Sequence, residues 1–138
     1  MIALCRDIAA RRSIRPERVL AHSDVAPARK RDPGEKFPWD VLARARVGHW
    51  TGPAPIAGGA LIGAGEEGPP IRALQALLAL YGYGVALTGV YDAQTRAVVA
   101  AFQRHFRPAR VDGQADASTI ATLRALIDSL NDKDRDPS

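Results

Sequence analysis

A histidine, a lysine and an aspartate lie close together in one short segment, as His22, Lys30 and Asp32. Prolines at positions 27, 33 and 38 bracket the segment, and because proline fixes φ they favour a stiff loop. Histidine nitrogen and carboxylate oxygen are natural zinc ligands, and a lysine between them would place a positive charge beside the metal. Residue types alone leave a second interpretation open, in which these side chains are hydrogen-bonded or solvated loop groups.

The complete segment from His22 to Trp39 reads H-S-D-V-A-P-A-R-K-R-D-P-G-E-K-F-P-W. It resembles the signature of the zinc-dependent N-acetylmuramoyl-L-alanine amidases of the type 2 family, and the resemblance covers residues 1–46. The resemblance implies a hydrolase that cuts the amide between N-acetylmuramic acid and L-alanine in peptidoglycan. It also implies that His22 and Asp32 are zinc ligands and that Lys30 is catalytic, stabilising the oxyanion of the tetrahedral intermediate.

The same resemblance exposes two missing groups. Family members have another zinc-ligand histidine and a catalytic glutamate well before this loop. Here 21 residues precede His22, none of them is a histidine, and Glu17 is in the wrong place for the family's glutamate. Because a catalytic zinc usually has three protein ligands plus water, we expect an incomplete zinc site and a chain that is inactive alone. Residues 1–46 are therefore predicted to be the C-terminal part of an α/β amidase domain, in a truncated chain.

Local patterns assign elements within this predicted α/β fragment. Residues 2–12 have apolar residues at helical spacing. The run Val19–Leu20–Ala21 is predicted to be a short buried strand that delivers His22 at its C-terminal end, where open α/β sheets bind ligands. A short helix is predicted to begin at Asp40. His49 follows this helix. It is interpreted as a packed or surface histidine rather than as a metal ligand.

Positive charge is concentrated in the first part of the chain. Residues 1–52 contain 11 Lys/Arg against 6 Asp/Glu, and the remainder contains 8 against 9. A basic surface suits an anionic wall polymer, and no recognisable motif supports nucleic acid as the partner. The single cysteine, Cys5, excludes an intrachain disulfide. No apolar stretch is long enough to span a membrane.

The second part of the chain is predicted to be a separate helical domain. Residues 47–70 are rich in Gly and Pro and are predicted to be a linker. Residues 71–129 contain three amphipathic helical segments, and residues 130–138 are polar enough to form a disordered tail.

A repeated spacing organises residues 71–129. The segments G-V-Y-D-A-Q-T, from Gly89, and G-Q-A-D-A-S-T, from Gly113, share the pattern G-x-x-D-A-x-T. Asp92 and Asp116 are predicted to be the N-caps of the second and third helices, rather than ligands. With Leu-Gln in the first helix and Ala-Phe-Gln in the second, the unit resembles the peptidoglycan-binding domain that is often joined to wall hydrolases.

Two functions from different classes follow from these resemblances. The first is a zinc-dependent peptidoglycan amidase, which would act on peptidoglycan or muropeptides. The second is a non-catalytic peptidoglycan-binding protein that carries an amidase remnant. The family implies the cell envelope or periplasm, whereas the absence of an export signal predicts a cytoplasmic chain if Met1 is the genuine start. The substrate-binding residues and the oligomeric state do not follow from the sequence.

Overall fold

The computed structural model describes residues 1–56, 62–63 and 65–135, with side chains described through Asp132. Six α-helices occur in this part of the chain. They are α1 (Ile2–Arg12), α2 (His22–Val25), α3 (Trp39–Arg44), α4 (Pro69–Tyr81), α5 (Ala93–Phe106) and α6 (Ala117–Arg135). A 3₁₀ turn at Pro16–Arg18 separates α1 from α2.

The hydrophobic core lies between α4, α5 and α6. Each of these helices directs one apolar stripe inward, which is the arrangement that the 3.6-residue period predicts. The most completely buried apolar side chains come from all three helices, at 0–1% exposure: Leu78, Val98, Val99, Phe102, Phe106, Leu123 and Leu126. The predicted all-α three-helix unit is therefore present in the structure.

Both predicted N-caps are confirmed by hydrogen bonds. Asp92 Oδ1 accepts from the backbone N and the Oγ1 of Thr95, at 2.9 and 2.8 Å. Asp116 Oδ1 accepts from the same two atoms of Thr119, each at 2.7 Å. The donors from Thr95 hold the pKa of Asp92 below its ordinary value. Burial raises the pKa of Asp116, but the donors from Thr119 and Arg107 outweigh burial, so that its net shift is also downward.

A glutamine from the preceding helix closes each of the two repeated turns. Gln75 of α4 donates to Thr95 Oγ1 at 2.9 Å and to the Val90 carbonyl at 3.0 Å, and its Oε1 accepts from Gly89 N at 2.9 Å. Gln103 of α5 repeats these contacts one unit later. Each glutamine is fully buried and satisfies backbone groups of a turn that would otherwise be unpaired. The internal repeat is therefore a repeat of hydrogen bonding as well as of sequence.

The α/β prediction for residues 1–46 is wrong. Among the described residues, β-structure is limited to two isolated bridges, Ile62 with Ala115 and Glu67 with Val90. The run from Val19 to Ala21 is not a strand, and Leu20 is 45% exposed. A three-residue apolar run does not by itself distinguish a strand from an extended connection, and a strand requires a paired neighbour. Helices α1 and α3 lie where the sequence predicts helices.

Residues at the start of the predicted linker pack against the three-helix unit. The Trp50 indole N–H donates to the His105 carbonyl at 3.1 Å. Ala54 exchanges hydrogen bonds with α6, donating to Thr122 Oγ1 at 3.0 Å and accepting from Ser118 Oγ at 2.7 Å. Residues 57–61 and 64 of the linker lie outside the described residues.

The predicted tail at residues 130–138 overlaps the last helix. Helix α6 extends to Arg135, and residues 136–138 lie outside the described residues. Within the described part of the chain, no helix is long and apolar enough to cross a membrane.

Replacing Gln103 tests the importance of the buried glutamines. We expect Gln103→Leu to lower the free energy of unfolding by about 2–4 kcal/mol, because leucine leaves the buried backbone amide of Gly113 and the partly buried amide of Asp112 without their acceptor. Urea denaturation followed by circular dichroism measures the change. The control is Gln114→Leu at an exposed position, which should change stability by no more than about 0.5 kcal/mol. Equal stability of the two variants would contradict the role given to the glutamine.

The raised pKa values of the three tyrosines predict how the stability of the fold changes at alkaline pH. Burial is the main cause that raises the pKa of Tyr81, Tyr83 and Tyr91, and the Asp24 carboxylate adds to the shift of the first two. A folded-state pKa above the unfolded value of about 10 gives stability that is complete below pH 10 and is lost as pH rises further. Absorbance at 295 nm should therefore show tyrosine ionisation only together with unfolding. Ionisation with a midpoint near pH 10 and unchanged circular dichroism would contradict this result.

Candidate functional site

The segment that the sequence analysis selects for chemistry is a compact turn that begins with helix α2. Its two ends are joined by a backbone hydrogen bond from Ser23 N to the Asp32 carbonyl, at 3.2 Å. Between them, the Ala26 carbonyl accepts from the backbone N of Arg29 at 3.0 Å and of Lys30 at 2.9 Å. These bonds fold the chain back on itself, and residues 22 and 32 become neighbours.

The two predicted zinc ligands meet in the structure. His22 Nδ1 and Asp32 Oδ2 are 2.5 Å apart, and both side chains are largely exposed, at 76% and 58%. The hydrogen bond with His22 is the main cause that lowers the pKa of Asp32, and the positive charge of Lys30 contributes in the same direction. His22, Lys30 and Asp32 therefore form one accessible polar cluster. We call the segment that carries it, residues 22–32, the His–Asp loop.

This cluster supplies only part of a metal site. An imidazole nitrogen beside a carboxylate oxygen suits two ligand positions of zinc. However, no group of three or more His, Cys, Asp or Glu side chains in the described residues is arranged to hold a metal. His49 does not add a ligand, because its Nδ1 and Nε2 are hydrogen-bonded to Tyr81 Oη at 2.6 Å and to Ser129 Oγ at 2.7 Å. The described residues fit two ligands of a zinc centre and not a complete one.

A buried carboxylate fixes the His–Asp loop to the three-helix unit. Asp24, two residues after His22, accepts from the Tyr83 hydroxyl at 2.6 Å and from Ala21 N at 3.0 Å, and its Oδ2 is 2.6 Å from His105 Nδ1. The Asp24 and His105 side chains are only 3% and 2% exposed. Helix α2 is thereby held against the end of α5, and the position of His22 is set by contacts to residues far along the chain.

Aromatic stacking reinforces this attachment. The His105 ring lies between Trp39 and Phe106, with ring centroids 3.8 and 3.9 Å away. Trp39 is itself buried, with an exposure of 6%. Asp24, Tyr83 and His105 are not among the site residues that the sequence patterns predict. One available signal was spacing, because His105 lies three residues after the apolar Phe102 and residues three apart share a helix face.

Comparison with known proteins identifies relatives of the chain. The family described as "Putative peptidoglycan binding domain" matches residues 67–123. The N-acetylmuramoyl-L-alanine amidase AmiD of Escherichia coli (strain K12) is 44% identical over 129 residues, which is 93% of this chain and 46% of AmiD. The chain is therefore homologous to this amidase and contains a domain of the peptidoglycan-binding family, and both resemblances inferred from the sequence are confirmed.

Solved structures support the same relationship. The complex of Escherichia coli AmiD with the substrate anhydro-N-acetylmuramic acid-L-Ala-D-gamma-Glu-L-Lys matches with a TM-score of 0.75 and 42% identity, over 93% of this chain and 49% of that chain. AmpDh3 of Pseudomonas aeruginosa, in complex with anhydromuramic pentapeptide, matches with a TM-score of 0.71 and 30% identity, over 94% and 51%. The chain spans about half the length of these relatives.

Proposed function

We propose that this homologue of AmiD acts in peptidoglycan hydrolysis, as the portion of an N-acetylmuramoyl-L-alanine amidase that carries the His–Asp loop and a peptidoglycan-binding domain. The observation that carries the proposal is the 44% identity to AmiD over a region that includes the loop. The contact between His22 and Asp32 supports it, because two side chains ten residues apart converge with the donor atoms that zinc uses. Such a function would place the chain at the cell envelope, on peptidoglycan or muropeptides.

The residues of the His–Asp loop have distinct roles in this proposal. His22 and Asp32 would contribute two zinc ligands, and the exposure of both side chains leaves them accessible to a metal. Zinc bound at such a site polarises a carbonyl group and lowers the pKa of a bound water. The Lys30 ammonium group would stabilise negative charge that develops on the carbonyl oxygen of the scissile amide. A third ligand and a general base are required in addition to the described residues.

The peptidoglycan-binding domain would keep this chemistry close to its insoluble substrate. Because the buried Asp24 contacts fix the loop to Tyr83, just after α4, and to His105 of α5, binding of the helical unit to the wall also positions the loop near the wall. A tethered site experiences a higher effective concentration of its substrate than a free site.

A second function is favoured by one observation. Residues 67–123 match the peptidoglycan-binding family by themselves, which supports a chain that only binds peptidoglycan and carries the His–Asp loop as a remnant. The two functions differ in whether the loop binds zinc and contributes to hydrolysis.

Zinc binding tests the proposed ligands. We expect one weak zinc site in competition with a chromophoric chelator. Loss of a group that merely supports a ligand lowers metal affinity by about 10–100-fold, so His22→Ala and Asp32→Ala should each reduce affinity at least this much. Asp128→Ala, an exposed carboxylate on α6, is the control and should leave zinc affinity unchanged. Zinc affinity that is the same in the His22→Ala variant would refute the ligand assignment.

Stem-peptide release from purified sacculi with added zinc tests catalysis. We expect little or no release by this chain alone, because two ligands do not make a three-ligand catalytic site. Release at the rate of a complete amidase would show that the site is complete.

Sedimentation with purified sacculi tests the wall-binding part of the proposal. We expect the chain to pellet with sacculi even at about 0.5 M salt, where the Debye length is only a few ångströms and exposed charge pairs are screened. Insoluble cellulose is the control polymer and should not pellet the chain. If binding disappears between low and high salt, or is equal on cellulose, then general adhesion explains it and the peptidoglycan-binding assignment fails.

A further inference from the structure

The hydrogen bonds around Asp24 define where the proton of His105 lies. His105 Nε2 is buried and has no hydrogen-bond partner among the described residues. A proton on this nitrogen would be a buried donor without an acceptor, so the neutral imidazole ring carries its proton on Nδ1 and donates it to Asp24 Oδ2. In the described part of the chain, Asp24 therefore accepts from the His105 ring, from the Tyr83 hydroxyl and from Ala21 N. Both side-chain donors lie within residues 67–123, the peptidoglycan-binding domain.

Asp24 holds the backbone on both sides of His22. Its Oδ2 accepts from Ala21 N, so that His22 lies inside a turn that this carboxylate closes. Ser23 is 2% exposed, and its backbone N donates to the Asp32 carbonyl at 3.2 Å. Helix α2 has only four residues, too few for a helix to be stable by itself in water. The short helix therefore depends on contacts with the rest of the molecule, which Asp24 makes.

The two proposed zinc ligands contribute little to their own placement. The side chains of His22 and Asp32 are 76% and 58% exposed, so packing against neighbours does not hold them. Their approach follows from the backbone of the loop, which the bond from Ser23 to Asp32 closes. Residues outside the ligand set commonly orient metal ligands, and losing one of them lowers metal affinity by about 10–100-fold. In this chain, Asp24 and the side chains bonded to it occupy that supporting position.

We propose that Tyr83 and His105 are positioning residues for the His22–Asp32 pair and act on it through Asp24. The inference deepens the proposed function and rests on it, because it assigns part of the support of the zinc ligands to the wall-binding unit. That unit then does more than keep the loop near peptidoglycan, since its hydrogen bonds set the backbone from which both ligands project.

Hydrogen exchange of the Ser23 amide measures this role without any metal. The amide makes the bond that joins the two ends of the loop, and local opening exposes it to solvent. In the complete chain, we expect His105→Leu and Tyr83→Phe each to speed exchange at this amide by at least about tenfold, since a lost buried hydrogen bond shifts an equilibrium by about that factor. His105→Asn keeps an amide donor near the position of Nδ1, so its exchange should stay within about threefold of the wild type.

Zinc affinity, measured by competition with a chromophoric chelator, is the second readout. We expect His105→Leu and Tyr83→Phe to weaken zinc binding by about 10–100-fold, as for other residues that support a metal ligand. His105→Asn should again lie within about threefold of the wild type. Rescue by asparagine separates the donated hydrogen bond from the stacking of the His105 ring on Trp39 and Phe106.

Gln75→Leu is the matched control for a general loss of stability. Gln75 is fully buried in the same helical unit, and its side-chain hydrogen bonds go to residues 88–95 and not to Asp24. All variants are compared under conditions in which circular dichroism shows them to be folded. Gln75→Leu should then change Ser23 exchange and zinc affinity by less than about twofold, because substitutions at separate sites act independently.

Three outcomes would overturn the inference. They are unchanged zinc affinity in both His105→Leu and Tyr83→Phe, equal losses of affinity in Gln75→Leu, and equal losses in His105→Asn and His105→Leu. In each of these cases the wild-type chain still binds zinc, so the proposed function stands and only the positioning role fails. If the wild-type chain binds no zinc at His22 and Asp32, the proposed function fails, and Ser23 exchange in the same variants then decides the positioning role.

Discussion

The arrangement of the molecule depends on one buried carboxylate. Asp24 is held by a tyrosine hydroxyl, a histidine ring and a backbone amide, and it lies where water is almost excluded. A buried carboxylate is costly unless it is fully hydrogen-bonded, and a buried polar group left without its partner typically costs about 1–3 kcal/mol, and more if it is charged. The three groups that hold Asp24 therefore have to be present together, which requires helix α2, the residues that follow α4 and the end of α5 to be assembled at the same time.

The location of the candidate site follows from this constraint. His22 lies two residues before Asp24, and Asp32 is bonded back to Ser23 through the backbone. The His–Asp loop thus receives its position from the helical unit, even though the residues that could do chemistry are all in the loop. A groove between the loop and α5 depends on the same attachment, since Lys30 lines one of its walls and Arg96 and Arg104 of α5 line the other.

The sequence predicts most of the local structure and few of the contacts between residues that are far apart in the chain. Helices α4 to α6 could be predicted from their apolar spacing, and the capping aspartates of α5 and α6 lie within a few residues of that spacing. The approach of His22 to Asp32 could be inferred only through a family resemblance, since ten residues of loop have no periodicity. The contacts of Asp24 with Tyr83 and His105 join residues 59 and 81 positions apart, and no local pattern encodes them. The predicted α/β fragment failed for a related reason, because a strand exists only through a paired neighbour, which a short apolar run does not reveal.

The two buried glutamines of the helical unit contact turns that follow them in the sequence. Gln75 of α4 completes the turn that begins α5, and Gln103 of α5 completes the turn that begins α6. Each glutamine precedes the turn that it closes, so during synthesis from the N-terminus every turn emerges after its partner has already been made. Domains generally fold as units while the chain emerges at about 5–20 residues per second. Because each glutamine is made before its turn, neither of these two contacts has to wait for a helix beyond the one that the turn begins.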